Sequence, residues 1–329
     1  MTLECADSIC SICGHPIVIF ATHIDACKNQ YFVYYCASCG LGKTEPCPDE
    51  ATLHELHSTQ YYRNGEGVRF ATPFEWLVEG MRRWRIYRLS HVVRKGRALD
   101  IGCGSGRFLR ALRQSGWEVA GLELNDDTAT AARNVHGLMV ETALEAYADK
   151  SFDLITITHV LEHIRNPHRM LADCVRLLKP GGVIAVAVPN IASWQARFTR
   201  GGWFHLDLPR HLWHFSETSL STELIGLDFE LIKVRRLDIA HNIFGWLQSL
   251  LNSAGLRHNR LYSFLSSDDL ETDNLTHYFS LIVSIALLPL LVPVSIILTV
   301  LEAVSHAGGT VEIVARLTAV ENISEGSSG

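Results

Sequence analysis

The apolar run Ala98-Leu-Asp-Ile101 stops in Gly102-Cys-Gly104-Ser-Gly106, and an acid, Glu123, ends the next apolar segment, Val-Ala-Gly-Leu-Glu. Such a run reads as a buried strand turning sharply into a helix, because glycine reaches backbone angles closed to other residues and lets a ligand approach the main chain. An acid at the end of the following strand can accept both hydroxyls of a ribose, so the pair reads as the floor of a nucleotide pocket. The spacing narrows the ligand. A GxGxxG dinucleotide fingerprint requires its third glycine at position 107, which here is Arg107, and this argues against NAD. Asp100, just before the first glycine, adds a carboxylate that can order the loop or meet a ligand ammonium.

Further along stand Ser151-Phe-Asp-Leu-Ile155 and Leu178-Lys-Pro-Gly-Gly182, in that order. On these residues the chain resembles the class I S-adenosylmethionine-dependent methyltransferases, over residues 75 to 238 and a final strand near 309 to 318. The resemblance implies that Asp100, Gly102, Gly104 and Gly106 hold the methionine part of the cofactor and Glu123 its ribose. It implies an adenine site beside Leu124, Asn125, Thr142, Ala143 and Leu144. The family often has an aspartate after the third strand; this chain has Glu141-Thr142-Ala143 instead.

Apolar segments at 97–101, 117–123, 138–141, 152–158 and 182–188 alternate with helical patterns, which implies right-handed crossovers and a parallel sheet with ligands at its C-terminal edge. Residues 229–237 and 309–318 complete it as an antiparallel pair. The expected fold is α/β: a Rossmann-like, doubly wound, mostly parallel seven-stranded sheet, with a small N-terminal zinc ribbon and an apolar helical insertion before the last strand. The expected segments are the ribbon at 1–50, capping helices at 51–95, the core at 96–238, the insertion at 239–308, the last strand at 309–320 and a disordered tail at 321–329. The capping helices carry Phe74, Trp76, Leu77, Met81, Trp84, Tyr87 and Leu89, and Tyr61 and Tyr62 either lie over the pocket or pack between modules.

The ribbon rests on Cys10-Ser-Ile-Cys13 and Cys36-Ala-Ser-Cys39, two CxxC knuckles each followed by glycine. Four thiolates from two tight turns give zinc a closed tetrahedral shell, and the metal replaces the core that so short a module lacks. A closed shell leaves no open position for chemistry, so the zinc organises structure or holds the acceptor. Cys5, Cys27 and Cys47 fall outside the pattern, and Cys103 and Cys174 read as core thiols.

A formal net charge of −6 argues against a general nucleic-acid binder. Arg82, Arg83, Arg85, Arg88, Arg94, Lys95 and Arg97 form one basic stretch, either a solvated helix face or a surface for anionic substrate or lipid headgroups. The N-terminal residues lack the pattern of a secretion signal, so a cytoplasmic location is expected.

Methyl transfer from a sulfonium is an in-line displacement that needs a well-placed nucleophile and, for some acceptors, a base. Histidine suits that base near neutral pH. His159 directly follows the fourth core strand, and the loop after the fifth carries His205, His211 and His214. His211 or His214 is the expected base, with His159 a pocket wall or alternate base. His159-Val-Leu-Glu162-His163 also spells the inverted zinc-protease motif, but it straddles a strand end where that motif requires a helix. No Asn-Pro-Pro-Tyr-type motif follows the fourth strand, which favours oxygen or carbon over nitrogen as acceptor.

Phe279 to Leu301 contains no charge and is long enough to span ~30 Å of hydrocarbon. A single crossing would strand the last core strand on the wrong side, and Pro289 and Pro293 disfavour a continuous helix. The expectation is therefore a hairpin of two short helices entering a membrane face, with Ile243 to Leu256 and Trp246 in the interface beside it, or else a lid or dimer contact. Together these features predict a methyltransferase of a small or lipid-linked acceptor at the inner face of a membrane. RNA methylation through the ribbon, and an inactive membrane scaffold, are the alternatives. The oligomeric state is left open.

Overall fold

The computed structural model describes residues 9–10, 12–24, 29–49, 51–53, 56, 72–266 and 275–318. Tyr61, Tyr62, Cys5, Cys27 and the tail at 321–329 lie outside the described residues. An N-terminal ladder of β1 (Val18–Ile24), β2 (Gln30–Tyr35) and β3 (Gly42–Glu45) precedes α1 (Thr72–Ser90). Strand and helix then alternate: β4 (Arg97–Ile101), α2 (Arg107–Gln114), β5 (Glu118–Leu122), α3 (Asp126–His136), β6 (Val140–Glu141), β7 (Phe152–Thr158), α4 (Pro167–Leu177) and β8 (Leu178–Pro189). The rest comprises α5 (Trp194–Thr199), β9 (Trp213–His214), α6 (Glu217–Gly226), β10 (Phe229–Arg235), α7 (Ile239–Ser253), α8 (Arg260–Leu265), α9 (Leu275–Val304) and β11 (Thr310–Leu317).

The large sheet has seven strands in the order β10-β11-β8-β7-β4-β5-β6. β4 to β8 are parallel, while β11 runs antiparallel between β8 and β10. This is the expected mixed α/β sheet. Its central strands β4, β7, β8 and β11 are largely apolar on both faces because helices cover both, whereas the edge strand β10 alternates with polar residues. Side chains alternate with the pleat: Leu154, Val183 and Ala185 meet Ile86, Leu89 and Leu112 on one side. Ile155, Ile157, Ile184 and Val186 meet Leu171, Leu177, Leu220 and Leu224 on the other. Helix starts are marked by local chemistry: the Asn125 and Asn166 side chains accept from Thr128 N and Arg169 N (2.9 and 3.0 Å), and Ser216 with Ser219 forms a capping box.

One pairing has no sequence signal. The ribbon ladder gains a fourth strand, β9, from the region between β8 and β10, with Gly42 opposite His214 and Lys43 opposite Trp213.

Two expectations about the insertion need correction. No hairpin of two short helices forms at 279–301; α9 runs unbroken through Pro289 and Pro293. The chain leaves β10 by α7 and α8, and α9 returns against α7 to β11, so the return that seemed to demand a bend inside the apolar segment is supplied by packing. Each proline deletes one backbone hydrogen bond, and continuous helix on either side keeps the rest. Trp246 does not lie in an exposed interface: it is 2% exposed, and Leu247 and Leu251 on the same helix are buried against Leu261 and Leu281. α9 has the opposite character, with Phe279, Ile282, Leu290, Ile297 and Val300 exposed. At thirty residues it is about 45 Å long.

The two kinds of apolar residue should respond differently to truncation. Ile155→Ala, in a fully buried strand, is expected to cost about 2–5 kcal/mol in urea unfolding. Ile297→Ala is expected to cost less than about 0.5 kcal/mol, as at an ordinary surface position.

Candidate functional site

The strand order reverses between β4 and β7, so the crevice lies at the C-terminal ends of those strands. There the glycine loop takes the shape its composition foretold. Gly102 (φ 70°) and Gly106 (φ 75°) are both left-handed, and a Cβ at Gly102 would fall 2.3 Å from Val160 Cγ2. The amides of Gly102 and Cys103 both donate to Leu122 O (2.8 and 3.0 Å), folding the loop back over β5. Glu123 completes the turn: its Oε2 accepts from Gly104 N (3.0 Å) and its Oε1 from Asn125 N (3.1 Å).

Asp100 is buried at the end of β4 and accepts a hydrogen bond from Thr156 Oγ1 (2.6 Å) across on β7. Burial pushes its carboxyl up to about 6 despite that bond, and burial likewise raises Glu123. A buried and a half-buried carboxyl thus face one glycine loop. Arg85 of α1 reaches Thr158 and forms an ion pair with Glu312 (2.9 Å). Around the rim Leu124 and Ala143 are exposed and Leu144 is buried.

The histidines divide into two groups. His159 stands directly after β7 in a left-handed conformation (φ 53°), its amide donating to Ala187 O (2.9 Å) and its Nδ1 3.5 Å from Glu162 Oε1. Its ring centroid lies 4.9 Å from that of His241 and 6.3 Å from that of His205. His211 and His214 are buried instead. Burial pushes both imidazoles below their usual range, His214 to about 3. His211 Nδ1 is 2.8 Å from His205 O, and His214 Nε2 is 3.0 Å from Thr44 Oγ1 of β3.

The HxxEH spacing does not put His159 and His163 on one helix face, since Leu161–His163 is a single tight turn. Instead Glu162, His163 and His211 bring their potential ligand atoms within 4.8 Å of one another. Neither Glu162 oxygen has a hydrogen-bond partner among the described residues, and the side chain is buried, so this trio could hold a cation.

Sequence reasoning missed Asp238 and His241. Asp238 caps α7, accepting from His241 N (3.2 Å), and its Oδ1 lies 3.0 Å from His241 Nδ1. Burial opposes the Asp238 charge, but His241 more than reverses this and holds the carboxyl below its usual range. An Asp-x-x-His cap is legible locally. Its approach to His159, far away in sequence, is not.

The four cysteines of the CxxC pairs converge. Cys10 Sγ is 3.7 Å from Cys39 Sγ and Cys13 Sγ is 3.5 Å from Cys36 Sγ, with all four sulfurs within 4.8 Å. A tetrahedral zinc with Zn–S bonds of about 2.3 Å sets its sulfurs about 3.8 Å apart, so the set has the dimensions and donors for that ion. Each knuckle closes on its glycine: Gly14 N donates to Cys10 O (2.9 Å) and Gly40 N to Cys36 O (2.8 Å). Cys103 and Cys174 are buried thiols of the large core, as expected.

Residues 77–234 match the family described as methyltransferase domain. Among curated relatives, the ubiquinone biosynthesis O-methyltransferase of Maricaulis maris is 36% identical over 106 residues, 30% of this chain and 42% of that protein. The protein of the same name from Methylococcus capsulatus is 36% identical over 111 residues, 31% and 47% of the two chains. The chain spans about half the length of the curated relatives it matches. A solved S-adenosylmethionine-dependent methyltransferase from Archaeoglobus fulgidus aligns with a TM-score of 0.45 at 18% identity, covering 72% of this chain and 94% of that one.

Gly102→Ala is expected to destabilise the chain by more than about 1 kcal/mol in thermal unfolding, since the residue is left-handed and its Cβ meets Val160. Asp100 should show in the pH dependence of stability. Its folded value of about 6 lies above the ordinary 3.8, so its stabilising contribution is full below pH 3.8 and is lost as pH rises through 6. Asp100→Asn abolishes that part of the profile, so wild type minus variant unfolding free energy should fall between pH 4 and 7. With its glycine loop, acidic turn and seven-stranded sheet, the segment 77–234 belongs to the methyltransferase domain family, and the chain carries a class I S-adenosylmethionine-dependent methyltransferase domain.

Proposed function

We propose that the chain transfers a methyl group from S-adenosylmethionine to an oxygen or carbon of a small or lipid-linked acceptor. The observation that carries this is the crevice at the ends of β4, β5 and β7. A glycine loop, a buried carboxyl, a half-buried carboxyl and a partly open histidine meet there, inside a domain of a methyl-transferring family.

The residues present fit the cofactor. Asp100 is a buried acid whose described hydrogen bond comes from a neutral hydroxyl, so a ligand ammonium would relieve the cost of its charge. Glu123 already orders the loop through two amides, and its remaining lone pairs suit ribose hydroxyls. Gly102, Gly104 and Gly106 are all left-handed, which gives the tight loop such a cofactor needs, and Leu124, Ala143 and Leu144 offer an apolar wall for an adenine. When bound, S-adenosylmethionine supplies an electrophilic methyl group on sulfur.

Of the three candidate bases, His159 suits proton removal best. It stands at the mouth of the crevice with Glu162 behind it to stabilise an imidazolium. His211 and His214, buried and held neutral, bind a proton poorly and serve to keep the loop in place. The four cysteines hold a structural zinc ion. The exposed apolar side of α9 lies against a membrane on its cytoplasmic side, where a lipid-linked acceptor would be presented.

Tritium from S-[methyl-3H]adenosylmethionine is expected to enter a membrane lipid extract. His159→Ala should lower that rate by about 10²-fold or more, with S-adenosylhomocysteine affinity by calorimetry changed less than threefold. An unchanged rate overturns the base assignment, and absent cofactor affinity overturns the function. In flotation with phosphatidylglycerol-containing vesicles the protein should rise with the lipid. A variant carrying Ile282→Ser, Ile297→Ser and Val300→Ser should remain at the bottom.

A further inference from the structure

The loop that carries His211 and His214 is held by a residue outside the methyltransferase domain. Thr44, on β3 of the cysteine module, is 1% exposed. Its amide donates to Leu212 O (2.9 Å), its hydroxyl donates to His211 O (2.6 Å), and the same oxygen lies 3.0 Å from His214 Nε2. A threonine hydroxyl has one hydrogen, and here it points at His211 O. The oxygen must therefore accept from His214 Nε2–H, which fixes that imidazole as the Nε2–H tautomer. One ribbon side chain and its own amide thus restrain three nearby loop residues.

The contact is tightly built. A Cβ at Gly42 would sit 3.0 Å from Ile191 Cδ1 and 3.1 Å from His214 Cβ, so β3 and β9 meet with no room between them. β3 begins only three residues after Cys39, and Cys36 N donates to Leu41 O (3.0 Å), so the sulfur shell fixes where the strand starts. On the loop's far side, Leu212 N donates to Glu162 O (2.9 Å). The loop is clamped between the ribbon and the turn that carries Glu162 and His163.

We propose that Thr44 is a positioning residue of the methyltransferase site, and that the cysteine module is the template on which the histidine loop, residues 205–214, is held in order beside Glu162 and His163. The metal dependence of this template rests on the reading of the four cysteines as a zinc site. A two-residue strand such as β9 has no stability of its own and persists only while a partner strand is in place.

The test is hydrogen exchange by mass spectrometry on the full chain, with zinc content measured alongside and the His214 tautomer read from imidazole 15N shifts. Thr44→Val keeps the shape and the amide but deletes the hydroxyl. Exchange at 211–215 should then rise at least tenfold and the Nε2–H signature of His214 should be lost, while β4, β5 and β7 are unchanged. Thr44→Ser should restore both. Removing zinc with a chelator should give the same local rise, extended over 205–214. Wild-type protection at 211–215 in Thr44→Val overturns the positioning role. Unchanged protection in the zinc-free chain, or an equal rise through β4 and β5, overturns the template. A purified chain that carries no zinc overturns the zinc reading and the metal dependence with it, while the Thr44 comparison still decides the positioning role.

Discussion

Burying a carboxyl group where a parallel sheet changes direction is costly unless something nearby meets its charge or keeps it neutral. Asp100 is in that position, and the surrounding architecture answers to it. Thr156 reaches it from the neighbouring strand, Arg85 approaches from α1, and the glycines that follow let Val160 and Leu138 pack directly on the loop. Glu123 accepts from two loop amides. The crevice is acidic at its floor and histidine-rich at its edge, an arrangement suited to a ligand that brings its own positive charge.

The second organising contact is the β3–β9 pairing. The short cysteine module packs Leu41 into the large core and sets Ala21 and Val33 against Ile191, Trp203 and Leu206. That packing, with the β3–β9 pairing, joins the cysteine module to the loop that carries His211 and His214. It also explains why His211 and His214 are so deeply buried: a loop lying between two sheets loses solvent on both sides, and its imidazoles stay neutral as a result.

The apolar insertion obeys a different constraint. Along α9 the one carboxylate, Glu302, is buried at the foot of the helix, accepting from Gln195 N (3.0 Å) and Gln195 Nε2 (3.2 Å). This anchors the helix to α5 at its root, while the rest leans on α7 and leaves an unbroken apolar side facing outward. Because Asp238 caps α7 and His241 lies in its first turn, the same insertion that carries the exposed apolar surface also brings an imidazole beside His159. Hydrophobic surface and reactive edge are thereby linked through one helix pair.

Local chemistry was enough to reveal much of this protein. The glycine loop, Glu123, the strand alternation and the CxxC knuckles were legible because each depends on residues close together in sequence: backbone angles only glycine adopts readily, side-chain period, and ligand spacing. The place of His159 directly after β7 was legible for the same reason, but the sequence favoured His211 or His214 as the base, because the burial of those two depends on packing between distant segments. What sequence could not decide were contacts between distant segments, such as Thr44 with His214, His241 with His159, and His211 with Glu162 and His163. It also misjudged α9, because proline's local penalty was weighed without the packing on α7 that carries the chain back to β11. Period and spacing act within a few residues, whereas these contacts depend on how two sheets and a helix pair come together, and only the tertiary structure decides that.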